Sequence, residues 1–402
     1  MRYLILFSLV AARASAFVPF STLARPAVEA RNNYAISVLV EQKQDEGTMF
    51  LDEPLLEEND SLAQKTQSST LVAPEWLEPI AWRGVVVILC ALWASNFAAA
   101  KLVMAEPGVD SALYAVSRFS ISALALAPGA IAYARRGNLD WETIKASAIC
   151  GSWVAFGYIG QTLGLLTTTA SRSCVICSLH CVFVATIAEI WRVNRATFET
   201  KFDVKRLLPA VLAVIGVAIV ELQGAAGPPN MGDLLSFAQP IGFGMGYLQL
   251  EEIMRKKPEA GLPVAAIKLS VVALASLGLF ELAPLMNSGI DDFVLRLPDF
   301  GAVLASETAR AGILYTGLVT TALALWVESI AFAKVPATDA SVILTTEPLF
   351  AALLGSIALG ETFGFSDYAG AALIIGACLS AVLMTDEGAA GEHELVSMAD
   401  QE

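Results

Sequence analysis

The sequence predicts an all-α polytopic membrane protein: ten transmembrane helices arranged as two inverted five-helix repeats. Three observations carry that prediction. The chain is 56% hydrophobic and only 16% charged, a membrane composition rather than that of a soluble domain. From residue 82 onward, long apolar runs alternate with short polar breaks, and the runs have the length of about 20 residues that a spanning helix needs. Finally, Ala170–Ile187 aligns without a gap on Ala337–Leu354 at an offset of 167 residues, and an internal repeat decides an architecture.

The chain opens on a leader. Arg2, the apolar run Tyr3–Ala12 and the A-x-A site Ala14-Ser15-Ala16 read as a signal peptide over residues 1–16. Residues 17–40 hold Ser21, Thr22, Arg25 and Arg31 but the single acid Glu29, a bias typical of transit peptides. The junction Ala14-Ser15-Ala16-Phe17-Val18-Pro19 resembles the ASAFAP-type motif of bipartite presequences in algae with secondary plastids, which implies import into a plastid. An ordinary signal peptide with an extracytoplasmic tail is the alternative. Residues 41–81 form an acidic linker and residues 386–402 an acidic tail, both expected to be disordered. The net charge of −14 sits largely in the ends: residues 17–81 carry 11 acids against 4 bases, and residues 385–402 carry 6 acids and no base. The membrane part is therefore nearly neutral, and nucleic acid is not an expected partner.

Five spans are expected over 83–104, 111–133, 146–168, 171–191 and 207–224, forming a first repeat over 82–224. The break Gly224–Asn230 follows. Five more are expected over 232–252, 262–284, 311–333, 337–359 and 367–385, the second repeat covering 232–385. The sixth is the weakest helix former, because Pro240, Gly242, Gly244 and Gly246 lie within it. With ten spans, thirteen Lys and Arg residues fall on the side of the termini and only Arg172, Arg296 and Arg310 on the other. That asymmetry orients the termini to cytosol or stroma. Since five is odd, the two repeats must be inverted relative to each other, as in many secondary transporters.

The ninth span carries the strongest chemical signal. Glu347 and Pro348 sit in the middle of its apolar run. A carboxylate facing lipid there would cost about 2.5–3.5 kcal/mol on insertion scales. Pro348 also cannot donate to the carbonyl of Leu344. Such a helix must turn both toward protein or a watery cavity. Its other face offers Ala351, Ala352, Gly355 and Ser356 for close helix packing. In the register of the repeat His180 falls on Glu347, Cys181 on Pro348, and Gln161 on Glu328.

Several of these stretches resemble EamA-type members of the drug/metabolite transporter superfamily. They are Ala91-Leu92-Trp93-Ala94-Ser95-Asn96-Phe97 with Lys101, Tyr114–Phe119, Glu347–Ala351, Leu359-Gly360-Glu361 and Gly370–Gly376. The resemblance covers about residues 82–385. It implies a ten-helix fold with a substrate cavity between two five-helix repeats, and it names no single substrate. The first half departs from the pattern, with Cys181 where proline is usual and Arg192-Val193-Asn194 in place of Leu-Gly-Glu. The departure argues against symmetrical bending of the two halves.

Intramembrane charges are functional candidates by default. Glu347 reads as a protonatable or substrate-contacting group, or equally as a fixed hydrogen-bonding partner within the bundle. His180 is its repeat mate and a residue type that ordinarily titrates near neutral pH; a neutral histidine wedged among helices is the other reading. Arg118 and Lys268 stand at matching places, Ser117-Arg118-Phe119-Ser120 against Ile267-Lys268-Leu269-Ser270. Either could meet an anionic substrate, or pair with Glu328 or Glu189. Gln161 and Glu328 place polar groups at matching depth, and Trp93, Asn96, Tyr247 and Trp326 offer amphipathic lining. Cys174, Cys177 and Cys181 with His180 look at first like a metal cluster, and the three cysteines share one helix stripe, but such small side chains are common packing material between membrane helices. A zinc site usually takes ligands from a second element, so neither metal nor cofactor is expected. No phosphate-binding loop and no catalytic triad appears.

The expected function is transmembrane transport of small organic metabolites by alternating access, with proton coupling through Glu347 left open. Expected partners are a small-molecule substrate, the bilayer and at most a second copy of the chain as a homodimer. A membrane scaffold with recruiting tails and an intramembrane enzyme stay open as rivals.

Overall fold

The helix Ser111–Arg135 shows how this chain begins and ends a span. The side chain of Asp110 accepts the Leu113 N–H at 2.7 Å, satisfying one of the donors that the first turn leaves free. Gly137 follows its last residues at φ +76°, a left-handed conformation that stops a helix and suits glycine.

The computed structural model describes residues 77–164, 167–168, 170–195, 201–222, 228–288, 297–359 and 364–399, all within the unit Ala73–Glu402. The expected leader, the transit-like segment and nearly all of the acidic linker lie outside the described residues, as do the side chains of Gly355 and Ser356. In chain order the helices are α1 (Leu77–Met104), α2 (Ser111–Arg135), α3 (Trp141–Gly164), α4 (Ala170–Ser178), α5 (His180–Arg195), α6 (Leu208–Glu221), α7 (Met231–Ser236) and α8 (Ala238–Lys256). Then come α9 (Gly261–Ser288), α10 (Phe300–Ala305), α11 (Glu307–Leu314), a π-helical run Tyr315–Leu323, α12 (Ala324–Ala331), α13 (Ala337–Leu344), α14 (Glu347–Leu359) and α15 (Phe365–Ala399). No strand occurs among the described residues.

Among the described residues, six stretches are long and apolar enough to cross a membrane: Leu77–Met104, Ser111–Arg135, Arg172–Arg195, Pro258–Glu281, Glu307–Ala331 and Ala337–Leu354. The protein is thus an all-α, multi-pass membrane protein. Helix also lies over the other four expected stretches, but these fall short of that measure. One of them, α6, is 14 residues long. Large apolar side chains such as Leu124, Leu274 and Leu379 point outward, as they do where the solvent is lipid.

Packing crosses between the two halves of the chain. Helix α2 lies on α9, α3 on α8 and α9, and α6 on α15; α1 lies against α14 and against the α11–α12 stretch. The glycines of the sixth expected span explain one crossing. A Cβ on Gly242 would stand 2.5 Å from the carbonyl oxygen of Trp153 and 2.6 Å from the nitrogen of Gly157. Here the missing side chain lets two backbones touch, a use of small residues common between membrane helices.

One expectation is corrected. Both halves interrupt the corresponding helix, although the first has no proline there. The ninth expected span breaks at Thr345-Thr346, between α13 and α14, and the fourth breaks at Leu179, between α4 and α5. At the offset of 167 residues, Leu179 falls on Thr346. Side chains do in the first half what proline does in the second. His180 Nδ1 lies 2.8 Å from the Cys177 carbonyl and the Cys181 thiol lies 3.0 Å from that of Ser178. The carbonyls released at the break are therefore satisfied locally, which removes most of the cost of interrupting the helix.

Candidate functional site

The π-helical run Tyr315–Leu323 is where the first half grips the second. An i+5 turn leaves carbonyls and side chains out of the regular ladder, and such runs are frequent at functional sites. Here they are taken up from α1 and α2. Trp93 Nε1 donates to the Thr320 carbonyl at 3.1 Å, and Ser122 Oγ to that of Gly317 at 2.8 Å. Asn96 Oδ1 accepts from the Thr320 hydroxyl at 2.9 Å. Arg118 Nε donates to Thr321 Oγ1 at 2.6 Å. Thr321 in turn donates to the carbonyl of Thr316, five residues back, at 2.7 Å. Trp93, Asn96 and Arg118 thus come together on one structural feature, built on Thr316, Gly317, Thr320 and Thr321, that the sequence analysis did not single out.

The intramembrane charges divide into two kinds. Lys268 on α9 is 1% exposed and Glu328 on α12 is 4% exposed. The lysine Nζ lies 2.5 Å from the Glu328 carboxylate, so each neutralises the other. Arg118 and Glu347 are different. The guanidinium of Arg118 stacks over the Phe119 ring at 5.0 Å, is buried, and among the described residues meets no carboxylate within salt-bridge distance. Glu347, the first residue of α14, keeps partial exposure and has no side-chain hydrogen bond among the described residues. A cation of the first half, Arg118, and an anion of the second, Glu347, are thus within electrostatic reach of each other, with no direct ion pair between them among the described residues.

Aromatic side chains lie within the same reach. Tyr158 on α3 packs between Phe119 and Phe243, with ring centroids 5.1 Å from each. Tyr247 on α8 lies 5.6 Å from the His180 ring and 5.5 Å from that of Phe332. Both tyrosines are within electrostatic reach of Glu328, Glu347 and Cys177. Trp326, also named from the sequence, is partly buried in the same apolar cluster as Tyr158. Tyr158 escaped the sequence reading because nothing marks it apart from other aromatics in apolar helices.

His180 meets this group of residues through the Tyr247 ring. It is 6% exposed, with Nδ1 on the Cys177 carbonyl and Nε2 3.1 Å from that of Ser341 on α13. Each ring nitrogen lies within hydrogen-bond distance of a backbone carbonyl, of which a neutral ring donates to one, and the residue ties the α4–α5 break to α13, the helix before the one that starts at its repeat mate. Gln161 is half-buried on α3 and is not brought to Glu328. A separate apolar groove of about 340 Å³, lined by residues including Phe156, Leu163, Leu234 and Ile241, contains none of the charged groups.

Residues 231–383 match the model of the EamA-like transporter family. No curated protein matches the chain. A solved structure titled "Crystal structure of protein" superposes with a TM-score of 0.57 at 15% identity, covering 77% of this chain and 98% of that one. A likeness at that identity concerns the fold alone.

Proposed function

We propose, from a second half that matches the EamA-like transporter family, that the whole chain moves small organic metabolites across a membrane by alternating access. Ten spans in two inverted repeats give this reading its geometry: α1, α2, α3, α4–α5 and α6 in one repeat, and α7–α8, α9, α11–α12, α13–α14 and α15 in the other. The pattern of packing supports it. Exchanging the repeats turns the α3–α8 contact into that of α1 with α11–α12, and the α2–α9 and α6–α15 contacts into themselves, and all of these contacts occur.

The observation that carries the proposal is the pair Arg118 and Glu347. Each belongs to a different repeat, and neither is neutralised by a contacting partner as Lys268 and Glu328 are. Charges kept unpaired at depth in a membrane protein mark a substrate or ion pathway. Substrate would bind between the repeats at Arg118, Glu347, Tyr158 and Tyr247, and rocking of one repeat against the other would open that place to each face in turn. Glu347 would carry the proton in a coupled cycle.

A thermal-shift screen of metabolites on the purified protein finds the ligand, since anything that binds only the native state raises its melting temperature. Uptake of that ligand into proteoliposomes, with and without a pH gradient, is then compared for wild type and Glu347→Gln. Proton coupling predicts gradient-driven uptake in the wild type alone, and equal pH dependence in the two would remove it. Absence of uptake for every stabilising ligand would remove transport itself. The leader supports a plastid envelope membrane as the destination; a full-length fluorescent fusion retained in the secretory pathway would rule that out.

A further inference from the structure

Among the described residues four ion pairs join the halves of the chain, and two of them are made by arginines near the starts of the first and fourth spans. Arg83 on α1 holds Asp339 on α13, with Nη2 at 2.7 Å and Nε at 3.2 Å from Oδ2. Arg172 on α4 holds Asp233 on α7, with Nη2 at 2.6 Å from Oδ2. The first lies among the links of one face, beside Lys334–Glu78, Lys257–Asp140 and the Ala337 N–H on Glu251. The second lies among those of the other, with Thr168 on Asp233, Arg172 on the Pro228 carbonyl and Asn230 on that of Thr167.

The repeat relates the two pairs. Arg172 and Asp339 are 167 residues apart, the same offset that places His180 on Glu347, so they occupy one position of the repeat with opposite charge. Their partners sit near the starts of the first and sixth spans, which the same exchange interchanges. Both pairs are closed here.

We infer that Arg83–Asp339 and Arg172–Asp233 are the two gates of the cycle, one per face, and that this structure is the occluded state. The inference rests on the alternating-access reading. Rocking the repeats apart at the terminus face must separate α1 from α13, and at the opposite face α4 from α7. The chemistry suits separation. The two guanidinium groups keep side-chain exposures of 11% and 19% against 2% for Lys268, so each can take water in place of its carboxylate when the pair opens. The Lys268–Glu328 pair has no water to turn to and stays closed throughout.

The test needs no substrate. Five of the six cysteines are replaced, leaving Cys177, which lies within electrostatic reach of Glu347. A membrane-impermeant maleimide is then applied from either side of oriented vesicles. Arg83→Gln is expected to speed labelling from the terminus face about tenfold, a population shift of about 1.4 kcal/mol, and to slow it from the opposite face. Arg172→Gln should do the reverse. The exchange Arg83→Asp with Asp339→Arg should restore the wild-type rates, which separates loss of a gate from damage to the fold. If both substitutions shift labelling the same way, or neither shifts it, or the exchange fails to restore the rates, the gates are wrong while transport stands. If Cys177 is unreachable from both faces in every variant, gates and alternating access fall together.

Discussion

Lys268 and Glu328, 60 positions apart in the chain, meet at 2.5 Å with both side chains almost wholly enclosed. Such a pair is weak evidence for net stability, but removing one partner strands a charge, at a cost of about 3–5 kcal/mol. Lys268→Met should therefore lower the melting temperature in detergent steeply. The double variant Lys268→Met with Glu328→Leu should recover most of the loss, because no charge is then left alone. A double variant as unstable as the single would mean that the charges themselves are required.

His180 and Glu347 share a position in the repeat and should respond in opposite ways to substitution. His180→Leu leaves the Cys177 and Ser341 carbonyls without their ring partner, and one unsatisfied buried acceptor costs about 1–3 kcal/mol. Glu347→Gln removes no hydrogen bond found among the described residues, so its melting temperature should stay near that of wild type while uptake falls. Thermal unfolding of the two variants side by side decides the assignment.

Gly242 and Gly376 separate a required glycine from an optional one. An added Cβ at Gly242 meets backbone at 2.5 Å, whereas at Gly376 nothing stands within 4 Å. Gly242→Ala should cost about 1–3 kcal/mol through overpacking, seen as a lower melting temperature. Gly376→Ala should be neutral or slightly stabilising, since alanine is the better helix former.

Asp140 and Lys257, 2.8 Å apart, tie the start of α3 to the end of α8. The hydrogen bond from Lys257 holds the Asp140 carboxyl down at about 2, below its ordinary value of 3.8. A depressed acid stabilises the fold above its ordinary value and loses that contribution as pH falls through the depressed one. Asp140→Asn should therefore be slightly less stable than wild type at pH 6, and the difference should vanish between about pH 4 and pH 2. Melting curves of both proteins across that range check the sign.

The candidate site itself was partly legible. Glu347 stood out because a carboxylate beside proline in an apolar run is costly anywhere but in a protected interior. Arg118, Trp93 and Asn96 were visible as polar or amphipathic groups in spans. Their common target, the π-helical run, was not visible, because helix type there depends on carbonyls being claimed by side chains from α1 and α2. Nor could sequence divide the charges into a closed pair and an open one, since Arg118 and Lys268 look equivalent in the repeat.

By itself the sequence determined that this chain is helical, crosses a membrane, and carries a duplicated segment with a break at Glu347. Hydropathy, periodicity and proline act locally, within a turn or a span, and survive in a linear reading. Only the tertiary structure decided that Lys268 takes Glu328, that Arg118 reaches across 203 positions to Thr321, and that Leu179 breaks its helix without proline. Those outcomes depend on which helix faces meet in a low-dielectric interior, where every polar group must find a partner, and the order of residues does not say which partner arrives.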